Sequence, residues 1–337
     1  MSKFIFEGTE YERFNTETVL DTLLRNKLNI PHSCKGGICQ SCMMRATNGK
    51  IPIEAQVGLK ETLLAQDYFL PCCCQPDGEL VIESVHDAEI YGRGIIVSKA
   101  LLSSGVCRIG LKPANDLYYR AGQFINLRRR DGLVRSYSLA SVPKLDDTLE
   151  LHVKRMENGQ MSNWLLDDVQ IGTELDIQGP NGRCYYLPGN PGQPLLLIGT
   201  GTGLAPLIGI IRDALMSGHQ GDIYLYHGSR KPDGLYLQND LHIMSERHHN
   251  FHYTPSLSGR DVPTGCIRGR ADDIALARHT RLNGFAVYLC GDPLMVNSSK
   301  RLAYLAGASI EDIHADPYEM KDLRKVNRDM LSSASCA

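Results

Sequence analysis

Two hydrophobic periods alternate along this chain, and the points where one gives way to the other divide it. Near the N-terminus Phe4-Ile5-Phe6 and residues 80–85 read as strands, while Val19, Leu20, Leu23 and Leu24 within 16–28 carry helical spacing. From about Ile95 to Tyr186 the pattern changes to short segments between turns. Residues 123–127, 136–139, 149–153 and 174–177 alternate or are β-rich, which predicts a small antiparallel barrel with one helix over 162–166. Gly189-Asn190-Pro191-Gly192-Gln193 is a turn-rich linker. Beyond it, strands at 195–198, 222–226 and 286–289 alternate with helices at 207–216 and 296–306, the pattern of a doubly wound parallel sheet. The expected organisation is therefore multidomain, α+β and α/β, with units at 1–88, 93–188 and 192–320 and a charged, then Ser-rich tail over 321–337.

Composition narrows the function. A chain of 337 residues fits two or three domains, and 42% hydrophobic with 22% charged residues excludes a disordered or fibrous protein. A net charge of −2 leaves no basic field for nucleic acid. The charge is uneven, with an acidic excess in residues 1–88 and a slight basic excess elsewhere. The longest uncharged stretch, 194–211, is broken by Gly199, Gly201, Gly203 and Pro206, so it reads as strand, turn and helix rather than a membrane span. Glu7 precedes any apolar run of signal-peptide length, and a cytoplasmic protein is expected. Six of the eleven cysteines fall in two tight groups, Cys34/Cys39/Cys42 and Cys72/Cys73/Cys74, a distribution that points to metal rather than cross-links.

Cys34-Lys-Gly-Gly-Ile-Cys39-Gln-Ser-Cys42 has the plant-type spacing of a [2Fe–2S] cluster, with the fourth ligand among Cys72, Cys73 and Cys74. Gly36 and Gly37 let the backbone wrap closely around the cluster. Structural zinc sites instead use paired knuckles with short gaps. Residues 1–88 resemble plant-type ferredoxin domains, which implies a β-grasp fold. Twenty-nine residues separate Cys42 from Cys72, and Pro76 lies four beyond it, so the resemblance implies Cys72 as the fourth ligand, with Cys74 the alternative. Gln40 stands where such domains usually have glycine.

Arg135-Ser136-Tyr137-Ser138 is flanked by Ala121-Gly-Gln-Phe, His152-Val153-Lys154-Arg and Gly159-Gln-Met161-Ser162. Together these resemble the six-stranded flavin-binding barrel of the ferredoxin–NADP reductase family, which implies FAD rather than FMN. The resemblance implies Arg135 at the pyrophosphate, Tyr137 against the isoalloxazine and Ser138 near its N5. It also implies that 159–162 start a helix facing phosphate. Gly199-Thr-Gly201-Thr202-Gly203 follows an apolar strand and precedes a helix, without a Walker lysine. It is matched by Cys290-Gly291-Asp292-Pro-Leu-Met295, which resembles the turn beside the nicotinamide in the same family. Asp316-Pro317-Tyr318-Glu319 resembles the closing segment that lies against the flavin, with tyrosine where most relatives have phenylalanine.

In this order the three units resemble the reductase components of multicomponent oxygenases. The resemblance implies an NAD(P)H-dependent oxidoreductase in which FAD splits a hydride into single electrons for the cluster, which passes them to a terminal oxygenase or an intermediate acceptor protein. Tyr137, Ser138, Cys290 and Tyr318 are the residues expected at the hydride-transfer site. Two other readings stay open, a reductase for a deoxysugar-biosynthesis enzyme and a stand-alone flavin or quinone reductase. For the coenzyme, Ser229 and Arg230 follow the second strand of the nucleotide unit. An arginine there suits the 2′-phosphate of NADPH, whereas the family pattern favours NADH, the expected coenzyme. A monomer is expected, since electron-transfer partners dock transiently.

Overall fold

The structure, a computed structural model, describes residues 2–14, 16–85 and 90–318. Glu319, Cys336 and the tail expected over 321–337 lie outside them. The chain forms two compact units, one ending at Val85 and the other at Tyr318.

In the first unit β1 (Ser2–Phe6), β2 (Thr9–Arg13), β3 (Met44–Gly49), β4 (Tyr68–Phe69) and β5 (Leu80–Ser84) form a mixed sheet in the order β2-β1-β5-β3-β4. Only β1 and β5 run parallel. The helix Val19–Arg25 starts at a capping box, in which Thr18 accepts from the Asp21 amide and Asp21 from the Thr18 amide. It buries Leu20 and Leu23 in a core that also holds Phe4, Phe69 and Ile82. This is the β-grasp arrangement, and the segment between the helix and β3 carries the first three cysteines.

The second unit begins with six antiparallel strands, β6 (Gly92–Ser103), β7 (Val106–Pro113), β8 (Phe124–Arg128), β9 (Val134–Ser138), β10 (Leu149–Lys154) and β11 (Glu174–Asn181), ordered β10-β7-β6-β11-β8-β9. A bridge between Leu139, just past β9, and Leu151 of β10 closes the sheet into a barrel. The expected helix at 162–166 is a turn over Gln160–Asn163 continued by a wider turn over Trp164–Asp168. Then β12 (Leu195–Thr200), β13 (Ile223–Ser229), β14 (Phe251–Leu257), β15 (Ile267–Arg268), β16 (Ala286–Gly291) and β17 (Ile313–Pro317) form a parallel sheet in the order β15-β14-β13-β12-β16-β17. The chain moves outward from β12 and returns to its other side at β16. That switch point, at the C-terminal ends of β12 and β16, is where such sheets open a ligand crevice.

Barrel and parallel sheet share one core. Val106, Ala140, Cys184 and Tyr186 pack with Leu204, Leu207, Ile210 and Ile211 of the helix Leu204–Met216. On the same helix Arg212 grips Asp146 with two hydrogen bonds of 2.9 and 2.8 Å. Among the described residues no helix is long and apolar enough to cross a membrane.

Candidate functional site

In the first unit the cysteine loop contains three left-handed residues, Lys35 (φ 53°), Gly37 (φ 79°) and Gln40 (φ 57°). Such reversals of hand turn amides inward. The Gly36 and Cys39 amides both donate to Cys34 Sγ at 3.3 Å, and the Cys34 amide donates to Cys39 Sγ at 3.4 Å. The thiols fall into two pairs. The free thiol of Cys34 hydrogen-bonds that of Cys39, while Cys72, delivered by the turn Pro71–Cys73, hydrogen-bonds Cys42 and receives the Gly37 amide. Cys39 accepts from Cys34 and also contacts Ser41 Oγ (3.1 Å), and this holds its thiol below the usual range while Cys34 is pushed above it. Contact with Cys42, and then burial, push Cys72 up. Cys74 is fully buried, and its carbonyl accepts the Val19 amide at 2.9 Å. The structure thus brings Cys72, and not Cys74, to the loop cysteines. Gln40 uses its left-handed backbone to send Nε2 to the Gly58 carbonyl at 3.0 Å.

In the second unit the ends of β9, β12, β16 and β17 meet. Ser138 Oγ, at the end of β9, donates to Asp316 Oδ2 and lies the same 3.2 Å from the Tyr318 hydroxyl, which donates to the Thr202 carbonyl at 3.1 Å. The Tyr318 amide donates to the Gly291 carbonyl at 2.7 Å. Cys290 is fully buried, its Sγ 3.6 Å from that of Cys184, and burial pushes its thiol well up. Burial also pushes the Asp316 carboxyl up to about 6, opposed by the hydrogen bond from Ser138.

The glycines at this junction have physical reasons. A methyl on Gly203 would collide with the backbone carbonyl of Cys290, and one on Gly199 would come within 2.7 Å of the Leu207 side chain. Gly201 (φ 55°) opens instead on Lys154, whose Nζ would lie 3.8 Å from a Cβ there. His227 is fully buried under the same turn. Its Nε2 meets the Gly201 carbonyl at 3.1 Å, and its Nδ1 has no partner among the described residues. Asp292 caps the helix Pro293–Leu305, accepting from the Leu294 and Met295 amides at 3.1 Å.

Other expected residues are placed differently. Val153, Met161 and Met295 are buried in the cores, so only their backbones are open to a ligand. Ser162 Oγ accepts the Met156 amide at 3.2 Å, and Gly159 has no room for a Cβ, which would fall 2.7 Å from that of Met156. His152 turns inward, its Nε2 2.8 Å from Glu150 Oε1 and its Nδ1 3.0 Å from the Tyr236 hydroxyl. Burial holds this imidazole neutral, so its proton sits on Nε2 against the carboxylate and Nδ1 accepts from Tyr236. Tyr137 is half-buried against the barrel core, and the hydroxyl of Ser136 donates to Asn126 at 2.7 Å. Arg135 donates to the Val134 carbonyl at 2.7 Å and has no acidic partner among the described residues. Ser229 Oγ accepts the Lys231 amide at 3.3 Å, Arg230 is exposed, and Asp233 accepts from Ser104 at 2.6 Å. Sequence reasoning passed over Asp316, His227 and Tyr236 as site residues. For Asp316 the closing acidic segment was the available signal, and for the other two there was none.

Comparison with known proteins agrees with this layout. Residues 6–77 match the 2Fe-2S iron-sulfur cluster binding domain, 95–186 the oxidoreductase FAD-binding domain and 197–301 the oxidoreductase NAD-binding domain. The reductase component of the naphthalene 1,2-dioxygenase/salicylate 5-hydroxylase systems of a Ralstonia species is 30% identical over 89% of this chain and 93% of its own. The chain belongs to the family of oxygenase reductase components. The reductase is also 29% identical to protein RfbI of Salmonella typhimurium, over 94% of this chain and 96% of that one. Its fold matches the crystal structure of an Amycolatopsis cytochrome P450 reductase with a TM-score of 0.67 and 28% identity, covering 94% of this chain and 99% of the other.

FAD, a nicotinamide dinucleotide and a [2Fe–2S] cluster are thus the cofactors of this reductase, and its residues fit all three. Among the described residues no three His, Cys, Asp or Glu side chains close tightly enough to hold one metal ion. Two thiol pairs with inward amides suit a two-iron group. Arg135, without an acidic partner among the described residues, suits the FAD pyrophosphate. The Gly201 turn beneath Lys154, with the orphaned His227 Nδ1 beside it, suits the phosphates of the dinucleotide.

Proposed function

We infer that this reductase draws electrons from NADH and delivers them singly to a terminal oxygenase, aromatic-ring dioxygenase or monooxygenase, or to an intermediate carrier protein. The observation that carries the reading is the pairing of Cys34 with Cys39 and of Cys42 with Cys72, a one-electron outlet on the same chain as the hydride-handling unit. When bound, NADH supplies a hydride, FAD takes the electron pair and releases it singly, and the cluster carries each electron outward.

In this reading Cys34, Cys39, Cys42 and Cys72 hold the cluster within residues 1–88. Arg135 and the backbone of 159–162 hold the FAD pyrophosphate in the barrel, 93–188, while Ser136, His152 and Val153 shape the strand ends around it. Tyr137 and Tyr318 enclose the flavin ring. In the nucleotide unit, 192–320, Lys154 and the Gly201-Thr202-Gly203 turn hold the coenzyme phosphates. Cys290 and Gly291, set by Asp292 and Met295, line the nicotinamide position, and Ser229 and Arg230 face the adenosine end. Asp316 manages a proton. With Ser138 donating to Asp316 and Tyr318 to the Thr202 carbonyl, no hydrogen lies between the two hydroxyls. A proton on Asp316 donates to Ser138 and frees the seryl hydrogen for Tyr318, which completes the chain. The protein acts in the cytoplasm as a monomer that docks transiently.

Replacing Cys42 with serine tests the reading. Reduction of cytochrome c by NADH should disappear while reduction of ferricyanide, which the flavin can serve directly, is retained. Loss of both activities in a folded, flavin-loaded variant would refute the linear path.

A further inference from the structure

The thiol basin has a fifth member. Cys73 Sγ lies 3.7 Å from Cys72 Sγ, and a methyl on Gly37 would come within 2.8 Å of it, so Cys73 packs directly on the loop that carries Cys34, Cys39 and Cys42. Cys34 is near enough to act on it electrostatically. Cys73 is half-buried, whereas its neighbours Cys72 and Cys74 are buried. Cys72 and Cys73 share one short turn, Pro71–Cys73, so whatever brings one sulfur to the loop brings the other. A rotamer change at χ1 swings a sulfur by about 3 Å, comparable with the 3.7 Å that separates the two.

We propose that Cys73 is a reserve ligand, able to bind the [2Fe–2S] cluster in place of Cys72. The inference rests on the reading that Cys34, Cys39, Cys42 and Cys72 hold the cluster. In the exchange the iron–sulfur bond to residue 72 breaks and one to residue 73 forms. The Cys73 thiol proton passes by way of water to the departing Cys72 thiolate, and no electron moves, so the iron keeps its valence. A duplicated fourth thiol lets the cluster survive the loss of its Cys72 anchor.

The test uses the full chain prepared without oxygen as wild type, C72S, C73S, C72S/C73S and C42S, with C72A as a second form of the first variant. Iron and acid-labile sulfide per chain, electron paramagnetic resonance after dithionite reduction, and flavin content as a check of folding are the readouts. Wild type, C73S, C72S and C72A should hold two irons and two sulfides, with resonance positions displaced in C72S and C72A. C42S and the double variant should hold less than a tenth of that. Cluster loss in C72S and C72A equal to that in the double variant would overturn the proposal. So would a double variant that keeps its cluster, or a C73S protein that loses it. A wild-type protein without iron and sulfide would instead refute the underlying reading of the cluster site.

Discussion

Gly203 offers the sharpest test of how the nucleotide unit works. A Cβ there would sit 2.7 Å from the carbonyl carbon of Cys290, nearer still to its oxygen, and 3.0 Å from the Cα of Gly291. These are backbone atoms and cannot rotate away. Ordinary contact begins at 3.4 Å, so the turns after β12 and β16 must part by at least 0.7 Å, the difference between 3.4 and 2.7. Those two turns carry Thr202, proposed above to hold the coenzyme phosphates, and Cys290, proposed to line the nicotinamide position, so parting them moves the nicotinamide relative to its anchor. A misplacement of about 1 Å costs roughly a hundredfold in rate, about 2.7 kcal/mol. Gly203→Ala should therefore lower kcat/KM for NADH about a hundredfold while flavin, iron and sulfide contents stay at wild-type levels. Gly199→Ala is the milder comparison, because its methyl meets the end of the Leu207 side chain at 2.7 Å and backbone, that of Gly203, only at 3.3 Å, and should lower the rate less. Steady-state ferricyanide reduction measures both. A Gly203→Ala protein with wild-type kcat/KM would show that the two turns do not jointly hold the coenzyme.

Asp316→Asn replaces a carboxyl that burial pushes up to about 6 with a permanently neutral group. The stability tied to the protonated form is complete below the unfolded carboxyl range, about 4, and is lost as pH rises through about 6. The variant should flatten the melting temperature across that window, and an unchanged pH profile would remove Asp316 from the account. At Gln40, glycine relieves a left-handed backbone worth about 1–2 kcal/mol but loses the bond to Gly58, worth about 1 kcal/mol. Gln40→Gly should thus be nearly neutral in chemical denaturation and Gln40→Ala destabilising by about 1 kcal/mol; equal effects would contradict the reasoning. NADH should have the higher kcat/KM of the two coenzymes, consistent with an exposed Arg230. A preference for NADPH that Arg230→Ala abolishes would show that the charge at the 2′ position governs choice.

The readable parts of this chain are those whose chemistry is local. The loop cysteines lie within nine residues, and the strand–glycine–helix run at 195–216 is contiguous, so spacing alone revealed both. The hairpin β6–β7 escaped notice as a pair of strands because Gly92–Ser103 exposes residues on both faces and shows no clean alternation. The helix Gln238–Arg247 buries little but Leu241, which leaves no apolar stripe to read. Contacts between distant segments had no local trace at all. Ser138 meets Asp316 across 178 positions and His152 meets Tyr236 across 84. The identity of the fourth loop partner was likewise open among adjacent cysteines, where two steps along the chain separate Cys72, facing Cys42, from Cys74 in the core.

The core shared by the barrel and the helix Leu204–Met216 bears on how such reductases can be recombined. Gly189–Gln193 looks like a convenient seam for grafting a coenzyme module from another enzyme. A cut there would strand Ala140, Cys184 and Tyr186 against a foreign helix and leave Asp146 facing whatever replaced Arg212. A transplant that respects the physics takes 90–318 as one cassette, or carries the matching barrel residues along with the helix. Coenzyme preference in a chimera of this enzyme is therefore better altered by point changes at the rim of the parallel sheet than by exchanging its halves.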